Sequence, residues 1–339
     1  MARRGGWRRA GSKGRFRYED ARGYQIEDAV KVERIESLVI PPAWKDVWIS
    51  PRGGSKLQAT GVDVAGRRQY LYHPDFRAQQ EQAKFDKLVR FAEALPDLRM
   101  AMGEHMTHED PYDRERVCAV AVRLINMAWF RVGSDRYAKA SRTHGVTTLT
   151  RSHVQVRGSR LAFRFRAKHK VQVRTTVVDS ELAGAIKELI AQPGAARLFR
   201  YGRNGESCNL TGPVLNAYIR EHMGEEFTAK DFRTWGGTLT AAISLAEQGL
   251  AETDAEEKRT VAKVMRTVGE RLGNTPAVAR ASYVSPAVVE QYLDGRTIED
   301  FRPRHLRVVK ARDIGLDQEE TALVSLLRSW KIRSARKAA

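Results

Sequence analysis

The spacing of apolar residues changes along the chain, and each change marks a different element. Between residues 46 and 72 the apolar positions fall in short extended runs, beginning with Val47-Trp48-Ile49. Lys56 to Val64 and Arg67 to Tyr72 flank Asp63-Val64-Ala65-Gly66, which reads as a hairpin. Alternation puts Tyr70 and Tyr72 on one face of the second strand. Over residues 79 to 94 the spacing lengthens to three and four, with Phe85, Leu88, Phe91 and then Leu95, which predicts a helix. Leu95-Pro96-Asp97 is expected to break it, because proline lacks the amide that the next turn needs.

A strongly periodic helix follows, about Asp113 to Phe130. Val146 to Leu149, His153 to Arg157, Arg160 to Arg166 and Lys170 to Val178 read as strands. Gly158-Ser159 is a tight-turn signal, and Leu161, Phe163 and Phe165 alternate with Arg160, Arg164 and Arg166. That alternation predicts a small antiparallel sheet with one basic face. The rest reads as helix, roughly over 180–192, 212–223, 229–247, 256–272, 276–283, 286–294 and 317–331. The fold class expected is α+β: a small β-rich N-terminal domain and a larger, mostly α-helical catalytic domain that contains a small antiparallel sheet. Residues 1–20, rich in Arg and Gly, are expected to be a flexible basic arm, followed by domains at 21–96 and 97–339.

Charge narrows the partners. The 339 residues carry 59 Lys plus Arg against 41 Asp plus Glu, a formal net charge of +18 that suits a polyanion such as nucleic acid. The basic N-terminus is followed by no apolar segment of the secretory type. Val117 to Phe130, the most apolar stretch, contains Arg123 and Asn126 and is too short to span a bilayer. A cytoplasmic, nucleoid-associated protein is expected. Cys118 and Cys208 lack CxxC spacing and sequence-adjacent histidines, so neither a disulfide framework nor a zinc site is expected. No phosphate loop, dinucleotide fingerprint or H-E-x-x-H is present, and no carboxylate cluster has magnesium spacing. Chemistry on a phosphodiester, with no metal, ATP or other cofactor, would therefore fall to side chains alone.

Four segments carry such chemistry. They are Phe130-Arg131-Val132-Gly133, Phe165-Arg166-Ala167-Lys168-His169-Lys170, Lys230-Asp231-Phe232-Arg233-Thr234-Trp235, and Leu272-Gly273-Asn274-Thr275-Pro276 continuing to Ala281-Ser282-Tyr283. In this order they resemble the type IB DNA topoisomerases of the small, poxvirus-like kind found in bacteria. Ile40-Pro41-Pro42-Ala43-Trp44 through Gln69-Tyr70-Leu71-Tyr72-His73-Pro74 is similar to that family's DNA-clamping domain. The likeness covers roughly Val32 to Gly295.

The resemblance implies an ATP- and metal-independent isomerase that relaxes supercoiled duplex DNA as a monomeric clamp. Tyr283 matches the nucleophile that forms a 3′-phosphotyrosyl bond. Arg131 and Arg233 match two guanidiniums whose planar forks suit phosphate oxygens, and Lys168 matches the general acid for the leaving 5′-oxygen. Where the family usually has His, this chain has Asn274, which can donate a neutral hydrogen bond but can neither carry charge nor exchange protons. Gln69, Tyr70, Tyr72, Tyr137, Lys170 and Lys230 complete the expected DNA-contacting set.

The residues also admit plainer readings. Lys170 is an alternative general acid, an even step from Lys168 on the same strand face. Asn274 before Thr275-Pro276 is also a helix N-cap candidate, and Tyr283, ending a helix, reads equally as a core aromatic. Two rival functions remain in view. A tyrosine recombinase shares the Arg, Lys, Arg and Tyr set, but typically carries His-x-x-Arg where this chain has Lys230-x-x-Arg233, and its N-terminal domain is usually helical. A non-catalytic DNA-binding protein needs the basic surface but not the ordered set.

Overall fold

The computed structural model describes residues 5–12, 14–194, 196–302 and 315–338, with the backbone alone at 78, 81, 82, 337 and 338. The chain forms two compact units, Met1–Phe85 and Asp86–Ala339.

The first unit is built on an antiparallel sheet of order β2-β1-β3-β4-β5. Its elements are β1 (Trp7–Ser12), β2 (Arg15–Glu19), helix α1 (Ala29–Ser37), β3 (Lys45–Ile49), β4 (Leu57–Val62) and β5 (Arg68–Tyr72). Trp7, Ile35, Val47, Ile49 and Ala59 form its core, with Trp44 and Leu71 packed alongside. The Asp28 side chain accepts from the amides of Val30 and Lys31 and starts α1.

The segment expected as a flexible arm is instead the β1–β2 hairpin, apart from residues 1–4 and 13, which lie outside the described residues. Two of its residues explain the difference. Trp7 is buried and pairs with Ile49 of β3. Arg9 donates to the carbonyls of Ile40, Pro41 and Trp44 at 3.1, 3.1 and 2.7 Å, supplying partners to a proline-rich turn. An arginine used in this way reads as a solvated charge in sequence.

The division between units falls inside α2 (Pro74–His105), which runs through Pro96 without ending. An interior proline costs a helix about 3 kcal/mol. Leu95 at the expected break and Leu98 and Met102 beyond it are all buried, each burial being worth roughly 1.5–3 kcal/mol, and this offsets the lost hydrogen bond.

The second unit continues with α3 (Arg114–Ala128), α4 (Asp135–Ser141), the three-stranded sheet β6 (Val154–Arg157), β7 (Arg160–Arg166) and β8 (Gln172–Val178), and α5 (Ser180–Ala191). A two-stranded ribbon follows, β9 (Arg200–Arg203) with β10 (Glu206–Asn209). The remaining helices are α6 (Gly212–Met223), α7 (Ala229–Gln248), α8 (Asp254–Leu272), α9 (Pro276–Ser282), α10 (Pro286–Leu293) and α11 (Gln318–Ala338). Both α3 and α7 are buried over most of their length and form the centre of the unit. β7 buries Leu161, Phe163 and Phe165 and exposes Arg160, Arg164 and Arg166, as the alternation predicts. Residues 146–149, expected as a strand, form a single 3-10 turn over Val146–Thr148. Its amides are engaged elsewhere: Val146 N–H donates to the Arg131 carbonyl (2.8 Å) and Thr147 N–H to the Val132 carbonyl (2.7 Å). No described helix is long and apolar enough to cross a membrane.

Candidate active site

Arg131 enters the site because α3 ends abruptly. Trp129 takes a left-handed conformation (φ 50°) as the helix C-cap, and the chain turns away. The Arg131 guanidinium then reaches the C-terminus of α8. It donates to the Leu272 and Gly273 carbonyls at 3.4 Å each, and at 2.7 Å to Asn274 Oδ1. Carbonyls at a helix C-terminus carry partial negative charge, so they hold a guanidinium without neutralising it. Gly273 makes the turn in the left-handed region (φ 61°), where a side chain is disfavoured.

Arg233 comes from the second turn of α7 and is buried. The helix start is fixed by Thr228 and Asp231, and Asp231 also pairs with Lys87 at 2.8 Å. The two terminal nitrogens of Arg233 donate to the carbonyls of Trp129 (2.5 Å) and Leu272 (2.7 Å). Its guanidinium is within side-chain hydrogen-bond reach of Tyr283, and among the described residues its buried Nε meets no acceptor in good geometry. A buried, unpaired N–H is costly, and an anion accepting from it would remove the cost. Burial and the neighbouring Arg131 push the Arg233 pKa down to about 10, which leaves it charged at neutral pH.

Tyr283 lies beneath Arg233. The Arg233 guanidinium is 5.0 Å from its ring centre. Burial raises the cost of ionising the phenol, but Arg233, Arg131 and Lys230 outweigh it, and the pKa lies below the ordinary tyrosine value. The backbone of Tyr283 is held by Thr238, whose hydroxyl donates to the Tyr283 carbonyl (3.1 Å) and accepts from Ser285 N–H (3.1 Å).

Two glycines of α7 make the approach possible. A Cβ on Gly236 would sit 2.2 Å from the Trp129 ring, and one on Gly237 would sit 2.8 Å from the Tyr283 carbonyl oxygen. Sequence reading missed this pair and Thr238. The available signal was two adjacent glycines inside a helical run, which lower propensity unless close packing requires them.

Asn274 does not cap α9. Thr275 does, accepting from the Val278 amide, and the sequence expectation is corrected by one residue. The Asn274 amide is engaged sideways instead. Its oxygen accepts from Arg131 and its nitrogen donates to the Leu272 carbonyl at 3.2 Å.

The other expected residues lie further out. Lys168 and Lys170 are both exposed on the β7–β8 turn, where His169 and Lys170 adopt φ of 61°. Val171, next in the chain, lies 3.6 Å from where a Cβ on Gly273 would be, so the turn reaches the α8 terminus. Lys230 is exposed in the first turn of α7, and Tyr137 is exposed on α4. In the first unit, Tyr70 and Tyr72 stack at 6.2 Å and remain exposed, with Phe76 5.5 Å from Tyr72. Gln69 falls in the opposite alternation, with Leu71. Its amide nitrogen donates to Asp63 (2.9 Å), whose carboxyl is held at about 2 by Arg67 and by this contact. The structure therefore brings Arg131, Arg233, Asn274 and Tyr283 together, and separately pairs Tyr70 with Tyr72. Among the described residues the group with metal-binding spacing is His105, His108 and Glu115, around the start of α3 rather than at its Arg131 end.

Residues 73–302 match the family described as the catalytic core of eukaryotic DNA topoisomerase I. Residues 15–63 match the N-terminal domain of bacterial DNA topoisomerase IB. A DNA topoisomerase 1B of Acanthamoeba polyphaga mimivirus is 32% identical over 269 residues, covering 77% of this chain and 80% of the viral one. DNA topoisomerase 1B of vaccinia virus (strain Western Reserve) is 21% identical over 280 residues, covering 81% and 84%. The XerH site-specific recombinase bound to its difH substrate aligns with a TM-score of 0.37 at 14% identity, over 59% of this chain and 52% of that one. On the match across most of its length and on the mimivirus relative, the chain belongs to the type IB DNA topoisomerases.

Proposed function

We propose that this type IB topoisomerase cuts one strand of duplex DNA with the Tyr283 hydroxyl. The phenolic oxygen attacks phosphorus, a 3′-phosphotyrosyl bond forms, and the bond from phosphorus to the 5′-oxygen breaks. The phenol proton leaves to solvent, and Lys168 protonates the departing 5′-oxygen. Supercoil torque rotates the free end, and the same steps in reverse reseal the strand. The covalent bond conserves the energy of the broken one, so no nucleotide is required.

The observation that carries this reading is the Arg233–Tyr283 arrangement. One buried guanidinium lies over the Tyr283 ring, within hydrogen-bond reach of the side chain whose ionisation it favours. Negative charge grows on the nonbridging oxygens as the phosphorus becomes five-coordinate. Donors fixed beforehand stabilise that state more than the ground state. Arg131 supplies the second fork. Asn274 supports it as a positioning residue, by accepting its hydrogen bond.

DNA contact extends to the exposed Tyr70–Tyr72 pair, to Tyr137 and Gln69, and to Lys170 and Lys230. The protein acts as a monomer in the bacterial cytoplasm, on the nucleoid. Relaxation of a supercoiled plasmid in EDTA without ATP tests the reading. Wild type is expected to relax it and Tyr283→Phe to leave it supercoiled; relaxation by Tyr283→Phe would exclude Tyr283 as nucleophile.

A further inference from the structure

A second group of reactive side chains lies in the Asp86–Ala339 unit, where α2 ends and α3 begins. His105 is the last residue of α2, His108 lies three residues on, and Glu115 is in the first turn of α3. One ligating atom from each lies within 4.8 Å of the other two. His222, in the last turn of α6, borders the group with its ring 5.3 Å from His105.

We propose that His105, His108 and Glu115 bind a divalent transition-metal ion of the zinc class. Three features separate this group from a chance meeting of polar residues. The first is that both imidazoles have one nitrogen already engaged. His108 Nδ1 lies 2.9 Å from Asp113 Oδ1. A carboxylate only accepts, so Nδ1 is the donor to Asp113 and Nε2 is the nitrogen left to face a metal. Carboxylate–histidine–metal chains are built in this way, with the outer carboxylate fixing both tautomer and ring orientation. His105 Nδ1 likewise lies 2.8 Å from the hydroxyl of the buried Tyr218. The other nitrogen of His105, Nε2, faces Glu115 at 3.7 Å.

The second feature is spacing. Metal–nitrogen bonds of 2.0–2.1 Å at a tetrahedral ion put two imidazole ring centres roughly 5 Å apart. The His105 and His108 rings are 5.2 Å apart. Closing the ligand atoms onto one ion requires side-chain rotation, which the half-exposed Glu115 and partly exposed His108 can supply.

The third feature is local charge. The chain as a whole is strongly basic, yet Glu104 directly precedes His105, Asp113 pairs with His108 and Glu221 directly precedes His222. A cation entering here meets local carboxylates on an otherwise basic chain. Two histidines and a carboxylate favour zinc-class ions over magnesium, which prefers oxygen ligands and retains water. A bound ion would join the end of α2 to the start of α3, the helix whose far end, roughly 22 Å away, delivers Arg131.

The test uses the full chain, stripped with chelator and dialysed, and zinc chloride as the probe. Calorimetry and metal analysis are expected to give one zinc per chain, with a rise in Tm of roughly 5 °C at a hundredfold excess over Kd. His105→Ala/His108→Ala is expected to lose uptake, and Glu115→Gln, a half-exposed change that spares the fold, to weaken it at least tenfold. His144→Ala/His153→Ala removes a different close histidine pair, 4.5 Å apart, and is expected to bind as wild type does. Cobalt in place of zinc is expected to give the visible absorption of a tetrahedral site. No uptake by wild type, uptake undiminished in the His105/His108 double variant, or unchanged affinity in Glu115→Gln would each overturn the proposal.

Discussion

The Tyr283 pocket and the Tyr70–Tyr72 face both present tyrosine, in opposite settings. Tyr283 is half-buried, lies under a buried arginine, and has its backbone clamped by Thr238. Tyr70 and Tyr72 are exposed, stack on each other, and stand on an alternating strand of an open sheet. On the proposed function the same side chain serves as a nucleophile in one place and a contact surface in the other because of what surrounds it. Fixed charge at short range and low solvation act on reactivity. Exposed ring area acts on affinity.

Substitutions on the two sides should therefore separate rate from binding. The largest effect expected is that of Tyr283→Phe, which abolishes the covalent complex in a denaturing gel assay while DNA affinity stays within a few-fold. Next, Arg233→Ala should slow single-turnover cleavage by about 10²–10³-fold, the usual cost of removing one preorganised donor. Arg233→Lys should recover little, because a point charge lacks the fork. Recovery to near wild type by lysine would mean that charge alone suffices.

Asn274→Ala should slow cleavage by roughly tenfold, the value of one charge-assisted hydrogen bond holding Arg131. Asn274→His should remain active. Loss of cleavage in that variant would count against a hydrogen-bonding role. Tyr70→Ala or Tyr72→Ala should weaken DNA binding up to about tenfold, with cleavage at saturating DNA unchanged. A fall in the saturated rate would show that the two regions are not separable in this way.

The smallest effect expected concerns pH. Cations favour the Tyr283 phenolate, so the folded pKa is depressed and the phenolate appears at lower pH than in free tyrosine. The cleavage rate should level off below pH about 10, the ordinary tyrosine pKa. Lys230→Ala removes one of the favouring charges and should move that inflection upward. An unmoved inflection would remove Lys230 from the set that tunes Tyr283.

The catalytic half was more legible in sequence than the sheet. Arg131, Lys168, Arg233 and Tyr283 lie in short ordered segments; Arg131, Arg233 and Tyr283 sit in or beside helices that announce themselves by periodicity, and Lys168 sits in a turn between alternating strands. The partners that position them come from distant residues. Asn274 meets Arg131 across 143 positions, and Gly237 meets Tyr283 only after α7 and the α9 terminus pack together. In the first unit, Arg9 and Trp7 look like part of a basic tail, and only the neighbouring Ile40–Trp44 turn and β3 reveal their use. Pro96 misleads for the same reason: burial of Leu95 and Leu98 outweighs the local rule. The β9–β10 ribbon, only four residues on each side, is too short to show a period.

The most direct measurement is to trap the covalent complex on a nicked or suicide duplex substrate, digest it, and identify the DNA-linked peptide. The expected result is a peptide containing Tyr283 joined to a 3′-phosphate, formed in EDTA without ATP and missing in Tyr283→Phe. A linkage to another residue, a 5′-phosphate attachment, or a covalent complex that persists in Tyr283→Phe would contradict it.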